Sequence, residues 1–385
     1  MKSIAINRSV GKPIRILEGE KITVGIDVHK KTYSVALWSV DRQQLIRAWV
    51  QPSDHRALAS KLQSVRPAIQ QMVYEAGSSG FCLARDLKES QFPVKVIAPS
   101  HTPKVPGKKA KSDRVDCRKL GEYEAKGILH EVYIPTSEEE SDRQVMRLRD
   151  QLMENQRRIK LQIKSFLLFH GLAEPPGLDH WSKASIQALR EMTLGEDLRF
   201  VLDMDLDELE HVRKMVARAT RRVHEMARRP RYQENVQRAR TMKGVGLLTA
   251  MTILTEMPNP ERFHLPRQVA MMAGLAPAVR ESGETHHECG REEGGNRRLR
   301  STLIEAAWQW MRRDPAAAAL YRRLLANTGS KKKAIVGVAR HLIIIQWRML
   351  TRKEPYREAP PKGAGRKPTA KAKKTAKAGA ARSAA

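Results

Sequence analysis

Cysteine is scarce in this chain. Cys82, Cys117 and Cys289 are the three in 385 residues, and they form neither a CxxC pair nor an even framework. That excludes a disulfide-stapled secreted fold and speaks against structural zinc. No charged-then-apolar signal pattern opens the sequence. The longest aliphatic run, residues 342–345, falls far short of the roughly 20 apolar residues that span a bilayer. Acids are also in deficit: 42 Asp and Glu face 71 Lys and Arg, for a formal net charge of +29. From 357 to 385 nine basic residues accompany one acid, so most of the excess belongs to the body of the chain. With no acylation motif or basic amphipathic anchor, that charge points to nucleic acid rather than an anionic membrane. The expectation is a soluble, cytoplasmic, nucleoid-associated protein of two to three domains.

What is present begins with an α/β pattern. After about twenty unpatterned residues, Ile22–Val28, 33–40 and 45–50 read as three closely spaced strands, an antiparallel meander with a turn at Asp41, Arg42 and Gln43. A helix is predicted over 53–64 with Ser53 as its cap, then a buried strand at 72–74 ending on Glu75. A glycine-serine break, a helix over 83–88 and a strand at Val94–Ile97 follow. A basic loop then leads to Ser112, Asp113, Arg114, Val115 and Asp116. Three antiparallel strands followed by alternating helix and strand resemble the ribonuclease-H-like fold. Asp27, Glu75, Asp113 and Asp116 stand at the places where its metal-dependent members carry carboxylates.

The last two acids are three residues apart, so one helical face can carry both, with Ser112 as cap. A lone acid at a strand end or in a first helical turn is usually a turn or capping residue. Four clustered carboxylates repel one another without cations, and their hard oxygens suit Mg²⁺ or Mn²⁺. Two such ions activate the attacking oxygen and stabilise the leaving one in phosphoryl transfer.

Pro135 closes this domain. Ser137 with Glu140 forms a capping box that opens a long helix, with Val145, Leu148, Leu152, Ile159, Ile163 and Phe166 at helical spacing and Asn155 interrupting the seam. Leu202, Leu206, Leu209, Val212, Val216, Val223 and Met226 repeat the pattern up to Pro230, beyond a loop region rich in proline and glycine. Each helix is on the order of 40 Å long at about 1.5 Å per residue. The two form either a hairpin within one chain or a coiled coil between chains. Their basic residues, among them Arg157, Arg158, Arg218, Arg221, Arg222 and Arg228, are expected on exposed faces without matching acids, which suits contact with a nucleic-acid backbone.

Lys243, Gly244, Val245 and Gly246 read as a tight turn opening a helix, similar to a helix-hairpin-helix element that binds a phosphate through backbone N–H groups. Close helix packing explains the same glycines. Further on come Gly274-Leu275-Ala276-Pro277, then Glu281-Ser282-Gly283, then Gly295-Asn296-Arg297-Arg298-Leu299-Arg300. Together with GIDVHK, YEAG and SDRVD, this distal block resembles the insertion sequence 110/1111 family of transposases. These are relatives of the Piv-type DNA invertases, and some are bridge-RNA-guided recombinases. The resemblance runs from about residue 22 to residue 308.

The resemblance implies a RuvC-like domain with a DEDD carboxylate set, a coiled-coil spacer, and a mainly α C-terminal transposase domain with a serine nucleophile. By motif position the carboxylates are Asp27, Glu75, Asp113 and Asp116 and the serine is Ser282. Candidate nucleic-acid contacts are Lys243, Gly244, Gly246, Asn296, Arg297, Arg298 and Arg300. The expected boundaries are an N-terminal extension over 1–20, the catalytic domain over 21–135 and the helical spacer over 136–235. The transposase domain follows over 236–353, then a basic disordered tail over 354–385. A serine ester conserves the phosphodiester bond energy, so strands can be exchanged without ATP. Two Mg²⁺ (or Mn²⁺) ions, double-stranded donor and target DNA, a non-coding guide RNA and a homo-oligomer are the implied cofactors and partners.

The chain departs from the family where Glu292-Glu293-Gly294 replace a Ser/Thr-Lys pair. His286, His287 and Cys289 have irregular spacing for zinc and no evident fourth ligand. Two other readings of the charge and the carboxylates stand beside this one. They are a metal-dependent, Holliday-junction-resolvase-like nuclease that uses water, and a non-enzymatic nucleic-acid-coating protein.

Overall fold

Alternation along Ile22–Val28 sorts the first core strand into two faces. Ile22, Val24 and Ile26 enter an apolar core, while Thr23, Gly25 and Asp27 look the other way. In the computed structural model the described residues are 3–5, 15–77, 79–99, 113–282, 285–291 and 294–358. Two compact units divide the chain, residues 1–136 and 137–385.

The first unit is a mixed α/β domain. Strands β1 (Ser3–Ala5) and β2 (Arg15–Leu17) pair as a short antiparallel ribbon. This corrects the expectation of an unpatterned extension; three-residue strands carry too little periodicity to read. Ile16 of β2 is buried in the main core. Strands β3 (Ile22–Val28), β4 (Thr32–Ser39), β5 (Gln44–Pro52), β6 (Ile69–Glu75) and β7 (Val94–Ile97) form one sheet in the order β5-β4-β3-β6-β7. The β3, β4 and β5 pairings are antiparallel; β6 joins β3, and β7 joins β6, in parallel.

Helices α1 (His55–Leu62) and α2 (Cys82–Glu89) cover one face with Leu58, Leu62, Leu83 and Leu87. Each such fully buried side chain contributes about 1.5–3 kcal/mol. The cap of α1 is Asp54, whose carboxylate accepts from the Arg56 and Ala57 amides, and not Ser53. The Ser53 hydroxyl donates instead to the Lys30 carbonyl at 2.9 Å.

Helix α3 (Asp113–Ala125) crosses the other face. Ser112, its expected cap, lies outside the described residues. The Thr23 hydroxyl donates to the Gly121 carbonyl at 2.7 Å, and a Cβ at Gly25 would fall 2.0 Å from the Cys117 carbonyl oxygen and 2.6 Å from the Gly121 nitrogen. Helix and strand therefore meet backbone to backbone. Val73, Ile97, Leu120 and Leu129 pack beside that contact.

The second unit is mainly helical. Helices α4 (Ser137–Phe169) and α6 (Glu196–Ala227) pack antiparallel within one chain, bridged by Arg149 to Thr220 near one end and Gln162 to Asp205 near the other. Their seam holds Ile159, Ile163, Leu167, Leu202, Leu206 and Leu209. Two expected seam positions are corrected. Leu148 is 48% exposed and Asn155 is exposed; Leu152 turns inward as expected, and Met146 rather than Leu148 is buried beside it in sequence. The loop between them contains a helix the periodicity did not show, α5 (Lys183–Glu191), capped by Ser182.

Helices α7 (Pro230–Arg240), α8 (Leu247–Glu256) and α9 (Pro266–Met272) precede the hairpin β8 (Pro277–Ser282) and β9 (Thr285–Arg291). Helices α10 (Arg297–Arg313), α11 (Pro315–Thr328) and α12 (Lys331–Arg352) complete the unit. Among the described helices α12 alone is long and apolar enough to cross a membrane. Its Ile335, Val338, Leu342, Ile343 and Leu350 are spent in the core of this unit. Within the expected tail, Tyr356 packs edge-on against Trp310, and its hydroxyl donates to Asp314 at 2.8 Å. Residues 359–385 lie outside the described residues.

Substituting Gly25→Ala forces α3 off β3 and is expected to cost about 1–3 kcal/mol. Gly77→Ala, whose Cβ meets nothing within 4 Å, is expected to stay within about 0.5 kcal/mol of the parent. Urea unfolding of the two variants checks this; equal midpoints would refute the backbone contact.

Candidate active site

The sheet register gathers the first carboxylates. Strands β3 and β6 run parallel with Ile26 beside Tyr74, and one residue further along each stand Asp27 and Glu75. Asp27 shares the face of Thr23 and Gly25, and Glu75 that of Val73, so both look toward α3. The Asp27 side chain is 23% exposed, and its Oδ2 lies 3.2 Å from His29 Nε2.

Cys117 reports how close α3 comes. Burial first, and then the Asp27 charge, push its thiol up to about 11, which keeps it protonated and inert at neutral pH. Asp116, one residue earlier, is half exposed with its Oδ1 3.9 Å from Lys119 Nζ. Asp113 belongs to the first turn of α3, but its side chain lies outside the described residues. Among the described residues no group of three or more His, Cys, Asp or Glu is placed to hold a metal ion. Asp27, Glu75 and Asp116 offer carboxylate oxygens alone, a donor set that fits a hard divalent cation and not zinc.

Ser282 ends β8, paired with Thr285 across the tip of the hairpin. Its side chain, and those of His286, His287 and Cys289, lie outside the described residues, as do both atoms and backbone of 283 and 284. The base of the hairpin is a glycine clamp. Gly274 precedes β8 and Gly295 follows β9, both at positive φ, and a Cβ at Gly295 would fall 2.4 Å from the Gly274 backbone. The Asn296 amide closes the clamp by donating to the Met272 carbonyl at 2.8 Å.

Comparisons with known proteins decide the family. A model described as Transposase IS116/IS110/IS902 family matches residues 236–322, and a second, for the DEDD transposases of IS110, matches 24–171. A putative transposase of Sinorhizobium fredii is 30% identical over 358 residues, covering 88% of this chain and 86% of the relative. The transposase for insertion sequence element IS1111A of Coxiella burnetii is 26% identical over 271 residues, covering 69% and 73%. A probable family 20 transposase of Pseudomonas aeruginosa is 24% identical over 348 residues, covering 87% and 98%.

The chain belongs to the IS110 family of transposases. It is an enzyme of DNA cutting and joining from a mobile element.

Several candidate DNA contacts of the transposase are engaged inside its helical unit. Asn296 caps α10 by accepting from the Leu299 amide at 3.0 Å, and its Nδ2 donates to Glu256 Oε2 at 2.7 Å. Arg298 Nη1 donates to Glu256 Oε1 at 2.9 Å, and its Nε meets Asp150. Arg143 and Arg147 approach the same Glu256 carboxylate at 3.6 and 3.8 Å, and that side chain is 2% exposed. Sequence reasoning missed Glu256; the one visible signal is an acid closing the apolar run of α8. Arg300 Nη1 reaches the Gly274 carbonyl at 3.4 Å.

Gly244 sits at φ +89°, and a Cβ there would fall 2.6 Å from the Trp310 nitrogen, so close packing on α10 accounts for it. Gly246, the α8 cap, has open space beside it, and Arg297 is exposed. Lys243 pairs at the surface with Glu358 at 2.5 Å. The basic hairpin face is also better matched than its sequence suggests. Arg157 pairs with Glu154, Arg158 with Glu208, Arg222 with Glu225 and Arg229 with Asp142. Helical i, i+3 and cross-helix partners are invisible in a linear count. Arg218, Arg221 and Arg228 keep no ion-pair partner among the described residues.

Glu256→Ala strands Arg298 and Arg143 without their buried partner, an expected loss of about 3–5 kcal/mol. Glu256→Gln, which keeps an acceptor, is expected to lose less. Thermal and urea unfolding of both variants reads the order; an Ala variant as stable as the parent would contradict the role given to Glu256.

Proposed function

We propose that this transposase exchanges DNA strands through the Ser282 hydroxyl, working with a carboxylate site of Asp27, Glu75, Asp113 and Asp116. The observation that carries the reading is the placement of Asp27 and Glu75 at matched positions on parallel neighbouring strands, facing the helix that bears the other two acids. The strand order, with three antiparallel strands and two added in parallel, supports a ribonuclease-H-like, RuvC-type domain. The α4–α6 pair supports the spacer, and 236–353 the transposase domain.

Four acids at one place repel each other and hold cations. Mg²⁺ or Mn²⁺ bound there would supply the positive charge that stabilises a phosphoryl transfer. Asp27, Glu75, Asp113 and Asp116 would hold it, in a rigid frame set by β3, β6 and α3. Ser282 Oγ attacks the phosphorus of the scissile phosphodiester and loses its proton to a base. A P–Oγ ester forms as one P–O bond to the DNA strand breaks, and the leaving strand end departs as a hydroxyl. Attack by the hydroxyl of another strand end on the phosphoserine reverses the chemistry and rejoins DNA in a new pairing. The hairpin supports the serine's role by presenting it at a tip whose base is clamped by Gly274 and Gly295. The family resemblance adds a structured guide RNA and a homo-oligomer, and the net charge of +29 suits both nucleic acids.

The test incubates the full-length protein, Mg²⁺ and DNA carrying the element's ends with RNA transcribed from sequence flanking its gene. Denaturing gels then show whether protein stays on a DNA strand. The parent is expected to form the adduct, and Ser282→Ala and Asp27→Ala to lower it by about 10³-fold or more. Cleavage that survives Ser282→Ala without an adduct would replace the serine by water. Cleavage unchanged in Asp27→Ala would remove the carboxylate site from the mechanism.

A further inference from the structure

A cavity of about 650 Å³ opens in the helical unit between α10, α11, α12 and the segment that follows α12. Pockets for organic ligands run from about 300 to 1,000 Å³, so this one exceeds what a lone phosphate fills. Its walls are apolar, with Leu320 from α11, Ile345 and Met349 from α12, and the Trp310 and Tyr356 rings meeting edge to face at 6.3 Å.

Its rim is cationic. Arg323, Arg348 and Arg352 line it, and none of the three has an ion-pair partner among the described residues. Arg357 joins them, with Glu354 3.8 Å away as the one acid in the lining. Arg143 and Arg298 in the same unit are, by contrast, matched by Glu256. The three guanidiniums are exposed at the mouth of an apolar recess, a combination that suits an anion with a flat apolar part. His341 is consistent with this. Burial, and then Arg340, Arg323 and Arg348, hold its imidazole below the ordinary value, so the ring stays neutral within the cluster.

From these features we propose that the cavity receives one unpaired nucleotide of a nucleic-acid strand, its base against the apolar wall and its phosphate on the arginine rim. A base in a duplex has both faces stacked and cannot enter such a recess; an unpaired or extruded base can. Guanidinium forks match phosphate oxygens in pairs, which the lysines of the tail do not. The site is separate from the strand chemistry assigned to Ser282 and Asp27, and its test reads binding alone.

The experiment uses full-length protein at fixed salt with a short single-stranded oligonucleotide carrying one central 2-aminopurine, and with the same sequence as a blunt duplex. The expected result is a change of 2-aminopurine fluorescence on binding the single strand. Arg348→Ala/Arg352→Ala should weaken single-strand binding by about tenfold or more and abolish that change. Ala319→Trp, which fills the cavity from an exposed position and leaves every charge in place, should abolish the change as well. Duplex binding should fall far less in both variants. A photocrosslinking 5-iodouracil at the same position should map to α11 and to the segment around residues 345–357. The proposal is overturned if both variants keep the fluorescence change, if crosslinks map elsewhere, or if single strand and duplex weaken equally. The last outcome would make the arginines general phosphate contacts.

Discussion

Backbone meeting backbone is the constraint on which the rest of this molecule depends. In the α/β unit the missing side chain of Gly25 lets α3 rest its Cys117 carbonyl directly on β3, and Thr23 fastens it through the Gly121 carbonyl. Asp27 is two residues beyond Gly25 on the same face of β3, and Asp116 is adjacent to Cys117 on α3, so both acids belong to the elements that this contact joins. In the helical unit Gly274 and Gly295 meet in the same way and pin the base of the serine hairpin. A rigid base under a two-stranded ribbon fixes where its tip can reach.

Charge follows a different logic. The net charge of +29 is an excess that no internal pairing removes, yet several individual arginines are engaged inside the helical unit. Glu256 alone collects Arg143, Arg147, Arg298 and the Asn296 amide, joining α4, α8 and the start of α10. Breaking such a buried set leaves an uncompensated charge, which is why it holds helices in place rather than steering DNA. Arginines without an ion-pair partner among the described residues include Arg218, Arg221 and Arg228 on α6 and Arg323, Arg348 and Arg352 around the cavity, places from which a nucleic-acid backbone can draw binding energy.

Strands and carboxylates were legible where the signal is local. The alternation of Ile22–Val28, the turn at 41–43 and the strand at Val94–Ile97 stand in the structure as the pattern implies. Asn296, read as a nucleic-acid contact, instead caps α10. The misreadings have physical reasons. Asp54 displaced Ser53 as a cap because a carboxylate accepts two amides at once. Leu148 left the seam because helical spacing alone does not say which of two apolar stripes turns inward. Helix α5 and the β8–β9 hairpin went unseen because both are short and bounded by glycine-rich or polar segments.

By itself the sequence determined the residue types available: acids at a strand end, at the end of a second strand and in the first turn of α3, a serine before a glycine, and an excess of basic residues. Family membership was legible for the same reason, since separated motifs in fixed order survive as letters. Tertiary structure alone decided which of these meet. Parallel pairing put Glu75 beside Asp27 across more than forty residues of chain. Packing also decided which arginines are consumed by buried carboxylates and which are left to bind. Proximity of residues far apart in sequence is a property of packing, and no linear pattern encodes it.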